Sequence, residues 1–261
     1  MNDTDPRLGR ILLLGENFGN YREIDSARVG SEAAAAISVG ADEHSPSKQF
    51  KYDDAVDNED AICLIAAPDW VGMAVADAHY GPESSHMLLE RLHRIWAKIR
   101  PESPAHLAEM VEFLSNGDSA RTESETTLLI AVYDRQSRSG FGISFGDSTF
   151  AIAGPKRPLQ RINPQDHRFV AANQRGSLLG GTEFTFTASH DELLMIYTDG
   201  VNECHYRNPP TSLQDHHIQA LVEDAGFDPL ESVERVIAAA LEGVDGNPGG
   251  QDNIVLGSAK A

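Results

Sequence analysis

Three places in the chain put a carboxylate at the mouth of an apolar run. Residues 70–76 run straight into Asp77, residues 193–198 run into Asp199-Gly200, and Asp252-Asn253 immediately precedes Ile254-Val255-Leu256. A fourth cluster, Asp57-Asn58-Glu59-Asp60, stands just before the apolar run 61–66. Any one of these is ordinary turn chemistry at a strand end. Together they suggest more, because strand ends that share one edge would bring four or five carboxylates together. Like charges that close cannot all ionise without cations among them. Hard divalent cations with oxygen ligands, Mg²⁺ or Mn²⁺, are the natural partners. Two such ions act as Lewis acids and lower the pKa of a water held between them. His79 follows Asp77 by two residues. An unperturbed histidine titrates near pH ~6.5 and can donate a proton around neutrality. The chain has ten histidines, so an exposed loop histidine is the plain alternative.

The elements that must position these groups are legible from about residue 61 onward. Residues 61–66 and 70–76 read as two antiparallel strands joined at the turn signal Pro68-Asp69. Met87, Leu88, Leu92, Ile95, Trp96 and Ile99 recur at the helical period. Pro82 and Glu83 suit the first turn of that helix, Lys98 and Arg100 its last, and Pro101 stops it. A second helix is marked by Leu107, Met110, Val111 and Leu114, with Gly117 as its C-cap. Strands follow over 126–133, 140–145, 148–153, 184–187 and 193–198, with a polar, proline-containing connection between 153 and 184. Ile218, Leu221 and Val222 mark a third helix closed by Gly226. Asp228-Pro229 opens a fourth as N-cap and first residue. A last strand covers 254–258. Residues 42–57 read as a loop, and the first thirty residues yield only the apolar run 11–14. Strict strand–helix alternation is absent. Blocks of strands broken by helix pairs predict an α+β fold, antiparallel sheets with helices on their outer faces.

Composition sets the outer limits. The 261 residues hold 40 acidic and 21 basic side chains, a formal net charge of −19, with 41% hydrophobic residues. That apolar fraction is too high for a disordered acidic chain, and the length predicts a sizeable core in one domain or two small ones. The charge opposes binding to nucleic acid and to anionic membranes. No run approaches the ~18 apolar residues of a membrane helix. Without a basic, apolar leader, and with only Cys63 and Cys204 as thiols, a reduced, cytoplasmic protein is expected. Competing motifs fail on context. Gly142-Ile143-Ser144-Phe145-Gly146 fits a nucleophile elbow letter for letter, but Ser144 falls inside a strand that another strand follows. Gly249-Gly250 lacks the lysine of a phosphate-binding loop, and His216-His217 are adjacent rather than one helical turn apart.

The ordered set Asn58-Glu59-Asp60-Ala61, Val75-Ala76-Asp77-Ala78-His79-Tyr80-Gly81, Thr126-Thr127-Leu128, Gly146-Asp147-Ser148, Thr198-Asp199-Gly200-Val201 and Asp252-Asn253 resembles the protein phosphatase 2C family, over about residues 55–258. The resemblance implies a four-layer α-β-β-α sandwich over a single domain spanning 1–261, with a core at about 33–259 and a divergent first 50 residues. It implies a metal-dependent serine/threonine protein phosphatase of bacterial type, acting on a phosphorylated protein, most simply as a monomer. Carried over residue by residue, Glu59, Asp77, Asp199 and Asp252 hold two Mn²⁺ or Mg²⁺ ions, Asp77 bridges them, and the Ala78 carbonyl completes one site. Asp60 orients metal-bound water, His79 is the general acid, and hydroxide bridging the metals attacks phosphorus in line. The sequence also departs from the family. Ala55 replaces an arginine that clamps phosphate, with Lys48 or Lys51 as possible substitutes. Ala78 and Tyr80 stand where glycines are common, and Glu125 replaces the glycine before the threonine pair. A weaker third ion would fall near Glu123 and Glu203. The alternatives are a pseudophosphatase serving as a binding module, and a metal phosphohydrolase of small phosphoesters.

Overall fold

The computed structural model describes residues 8–41, 58–115, 124–174, 176–205 and 212–261. Asp57, Ala55, Lys48, Lys51, Gly117 and Glu123 lie outside the described residues. In chain order the strands are β1 (Gly9–Leu14), β2 (Asp25–Val29), β3 (Ala33–Ser38), β4 (Ala61–Ala66), β5 (Trp70–Ala76), β6 (Ala78–His79), β7 (Glu125–Thr126), β8 (Leu128–Asp134), β9 (Ser139–Phe145), β10 (Thr149–Gly154), β11 (Arg157–Arg161), β12 (Thr182–Thr187), β13 (Leu193–Tyr197) and β14 (Ile254–Lys260). Helices α1 (Glu83–Trp96) and α2 (Pro104–Leu114) lie between β6 and β7, and α3 (Asp215–Asp224) and α4 (Pro229–Glu242) between β13 and β14.

Two six-stranded antiparallel sheets form, ordered β1-β4-β5-β8-β9-β12 and β11-β10-β13-β14-β3-β2. Each central strand is buried on both faces, and alternation decides which layer each side chain serves. Ile62, Leu64, Met73 and Val75 meet Ile37, Phe150, Ile196 and Val255 between the sheets. The other faces of β4 and β5, through Cys63, Ile65 and Trp70, pack under Leu88, Leu92 and Trp96 of α1. On the far side Met195, Tyr197 and Leu256 pack under Val233, Val236 and Ile237 of α4. The fold is the α+β, α-β-β-α sandwich that the sequence implied.

Strands β2, β3, β6 and β11 escaped the sequence reading. β3 is Ala33-Ala34-Ala35-Ala36-Ile37-Ser38, which has neither alternation nor β-branched enrichment. It is a strand because β14 and β2 pair with it on either side. β11 lies inside the segment read as a polar connection. It is an edge strand on β10 with mostly exposed side chains, the one setting in which Pro158 is tolerated. The first helix ends at Trp96, before Lys98 and Arg100. Asp228 caps α4 as expected, accepting from the Glu231 N–H at 3.1 Å ahead of Pro229. Ser144 lies within β9, so no nucleophile elbow forms. Among the described residues no helix is long and apolar enough to cross a membrane.

Candidate metal centre

Register brings the carboxylates to one edge. Ala61 opens β4 opposite Ala76, the last residue of β5, so Asp60 and Asp77 leave the first sheet at the same end. In the second sheet Tyr197 closes β13 opposite Leu256, near the start of β14, so Asp199 and Asp252 share its end. Cross-sheet hydrogen bonds align these two ends. Thr198 Oγ1 donates to Asp60 Oδ2 at 2.8 Å and accepts from the Val255 N–H at 3.2 Å. Asn253 Oδ1 accepts from the Glu59 N–H at 3.1 Å, while its Nδ2 donates to the Val39 carbonyl at 3.1 Å. Asn253, read from sequence only as part of a motif, is therefore the residue that ties the Glu59 segment to β14.

The threonine pair holds Asp77. Thr126 Oγ1 and the Thr127 N–H both donate to the Asp77 carbonyl at 2.8 Å, and Thr127 Oγ1 accepts from the Asp77 N–H at 3.0 Å. Thr127 Oγ1 also lies 2.8 Å from Ser148 Oγ, which couples Asp77 to the Gly146-Asp147-Ser148 turn. The Asp77 and Asp199 side chains lie within hydrogen-bonding reach of each other. Glu59 and Asp60 are almost fully buried. One Glu59 oxygen accepts from the Gly81 N–H at 2.8 Å. Ser85 Oγ donates to the Glu59 carbonyl at 2.6 Å, anchoring it to the first turn of α1.

Electrostatics mark the same edge. Burial, then the charges of Asp60 and Asp252, push the Asp77 carboxyl well above the usual range. Burial, then Asp77 and Asp252, do the same to Asp199. Asp199 Oδ1 is buried and accepts no hydrogen bond. A buried acceptor without a donor is costly, and a cation is one partner that would satisfy it. Among the described residues no group of three or more His, Cys, Asp or Glu is arranged so that it could hold a metal ion. The donor set is all oxygen, which fits Mg²⁺ or Mn²⁺ and not a soft metal.

Asp147 was quoted in the sequence only as part of a motif and belongs to this group. Burial raises its carboxyl, and its charge acts on Asp77, Asp199 and Glu203. Glu203 is itself raised by burial, then by Asp147 and Asp252. The signal available in sequence was the tight turn between two strands at Gly146-Asp147-Ser148. His79 sits beyond Asp77 on β6, exposed, with its ring 4.7 Å from that of Phe169.

Tyr80 adopts φ 63°, the left-handed region that glycine favours, at a position where the family resemblance predicted glycine. Its side chain is 51% exposed. Tyr80→Gly should stabilise the protein by about 1 kcal/mol, the cost of a left-handed L-residue. A urea midpoint raised at unchanged slope is the expected reading, and a lowered midpoint would contradict it.

No protein-family model matches the sequence, and no curated protein matches it. Solved structures do match. The catalytic domain of the serine/threonine protein phosphatase PstP, in complex with two manganese ions, superposes at a TM-score of 0.60 with 16% identity, covering 91% of this chain and 99% of that one. RsbX in complex with magnesium superposes at 0.56 with 12% identity, over 91% and 99%. The PP2C domain of SiaA from Pseudomonas aeruginosa superposes at 0.55 with 14% identity, over 78% and 80%. The chain has the protein phosphatase 2C fold. At such identities the protein phosphatase 2C likeness is one of architecture.

Proposed function

We propose that this chain is a metal-dependent serine/threonine protein phosphatase. The observation that carries the proposal is the meeting of Asp77 and Asp199 from opposite sheets, both held above the usual carboxylate range, with Asp199 Oδ1 buried and unsatisfied. The fold's likeness to a phosphatase solved with two manganese ions and to RsbX solved with magnesium supports it. Glu59, Asp77 and the Ala78 carbonyl would hold one divalent cation, and Asp77, Asp199 and Asp252 the other. Asp147 and Glu203 offer a weaker third position. Bound there, the cations would supply the charge that polarises a phosphoryl group and acidifies an attacking water.

The remaining work falls to side chains. Asp60, oriented by the Thr198 hydroxyl at 2.8 Å, accepts a hydrogen bond from the attacking water and fixes its direction. Thr126 and Thr127 hold the Asp77 backbone, which fixes the point from which its side chain leaves the main chain. His79, exposed at the rim, delivers the proton to the leaving alkoxide. An exposed rim suits a phosphorylated side chain presented by a protein. With Ala55 in place of an arginine clamp, an uncompensated carboxylate edge repels phosphate, so cation occupancy controls substrate affinity as well as turnover.

The assay that tests this reading is hydrolysis of aryl and alkyl phosphates with and without Mn²⁺. His79→Ala should slow the alkyl ester by about 10²-fold or more and the aryl ester much less, because an aryl oxide leaves without full protonation. Equal losses on both would remove His79 from the role of acid.

A further inference from the structure

We infer that Phe169 is the positioning residue for His79, a role that rests on His79 acting as the proton donor. The rings packed on His79 are Phe169 at 4.7 Å and 58° and Tyr80 at 6.3 Å and 60°, and His79 also interacts electrostatically with Asp147. An exposed imidazole samples several rotamers, whereas protonating a leaving oxygen requires one of them. The tilted contact with Phe169 selects among them, by about 3- to 10-fold in population on the scale of aromatic pairs.

Phe169 can do this because its segment is fastened at both ends. Asn163 is buried, accepting from the Phe150 N–H at 2.6 Å and donating to the Ser148 carbonyl at 2.9 Å. Gln165 Nε2 donates to the Asp147 carbonyl at 2.6 Å. Asp166 exchanges two bonds with Gly146, its N–H to the carbonyl at 3.0 Å and its Oδ1 from the N–H at 2.7 Å. Val170 exchanges two more with Thr126, at 2.8 and 2.9 Å, and Thr126 pairs with Ala78 in the small sheet that carries His79. Residues 163–170 thus form a strap from the Asp147 turn to the strand of His79, with Phe169 part-buried at its end. A leucine there would fill space without the edge and face of a ring.

The test compares Phe169→Leu and Phe169→Tyr with wild type on an alkyl and an aryl phosphate, alone and in a His79→Ala background. Phe169→Leu should lower kcat on the alkyl ester by about 3- to 10-fold, leave KM and aryl turnover unchanged, and lose nothing further once His79 is alanine. Phe169→Tyr should restore the wild-type ratio. Equal losses on both esters, no loss on either, or an alkyl-selective loss that persists without His79 would overturn the inference. A second readout does not depend on turnover. The His79 ring protons should carry an upfield ring-current shift in the NMR spectrum that disappears in Phe169→Leu. A shift that stays would overturn the contact itself. If wild type hydrolyses neither ester, the phosphatase reading fails, and the ring-current shift alone decides whether Phe169 holds His79.

Discussion

Asp199→Asn should reduce Mn²⁺-dependent turnover by about 10³-fold or more and, in the same protein, raise the stability of the metal-free form. On the proposed assignment, activity falls because a carboxylate that would hold a cation is lost from the position where the two sheets meet. Stability rises because the substitution removes one of two carboxylates that burial and mutual repulsion keep above the usual range. A carboxyl whose pKa is raised on folding binds its proton more tightly in the folded state. Its destabilising effect therefore sets in as pH climbs past the ordinary carboxylate range near ~4 and persists above it. The gain from asparagine should be small at pH 4 and reach about 1–3 kcal/mol near neutrality, the scale of relieving a buried unsatisfied group. Thermal unfolding in EDTA across pH 4–8 measures it. A variant less stable than wild type at neutral pH would mean that the Asp77–Asp199 pair is a structural hydrogen bond and not a strained cation site.

The second large effect concerns Gly200. A β-carbon there would stand 1.8 Å from the Asn253 carbonyl oxygen, and the obstacle is backbone that cannot swing aside. Gly200→Ala should cost about 3 kcal/mol, the upper end of overpacking penalties. It should also weaken Mn²⁺ binding, because the backbone it displaces joins Asp199 to Asp252-Asn253. Urea unfolding of the metal-free protein and Mn²⁺ titration check the two halves separately. A well-folded Gly200→Ala protein with wild-type Mn²⁺ affinity would show that the Asp199 and Asp252 segments need not touch.

Much of this site was readable before any coordinates, for a physical reason. A carboxylate following a run of buried apolar residues announces both a strand and its end, so Asp77, Asp199 and Asp252 could be placed on strand termini from hydrophobicity alone. That the termini share one edge depends on register, which sequence patterns do not encode; Thr198–Asp60 and Asn253–Glu59 are cross-sheet bonds between residues 138 and 194 positions apart. Asp147 was hidden because a short polar turn between two strands has the same composition whether or not it faces a charge cluster. β3 was hidden because four consecutive alanines have no period, and β11 because an edge strand can be polar and hold proline. The Asp228-Pro229 start of α4 and the helical period of α1 were local signals that located both helices, although α1 stops at Trp96, short of Ile99 and Arg100.

The most direct measurement is hydrolysis of a phosphothreonine peptide as Mn²⁺ is titrated into metal-free protein. The expected result is no turnover in EDTA, activity that rises and saturates with Mn²⁺, and no recovery at any Mn²⁺ concentration in Asp199→Asn. Undiminished turnover in EDTA would contradict the metal-centred site, and Mn²⁺ binding without turnover would contradict the enzyme.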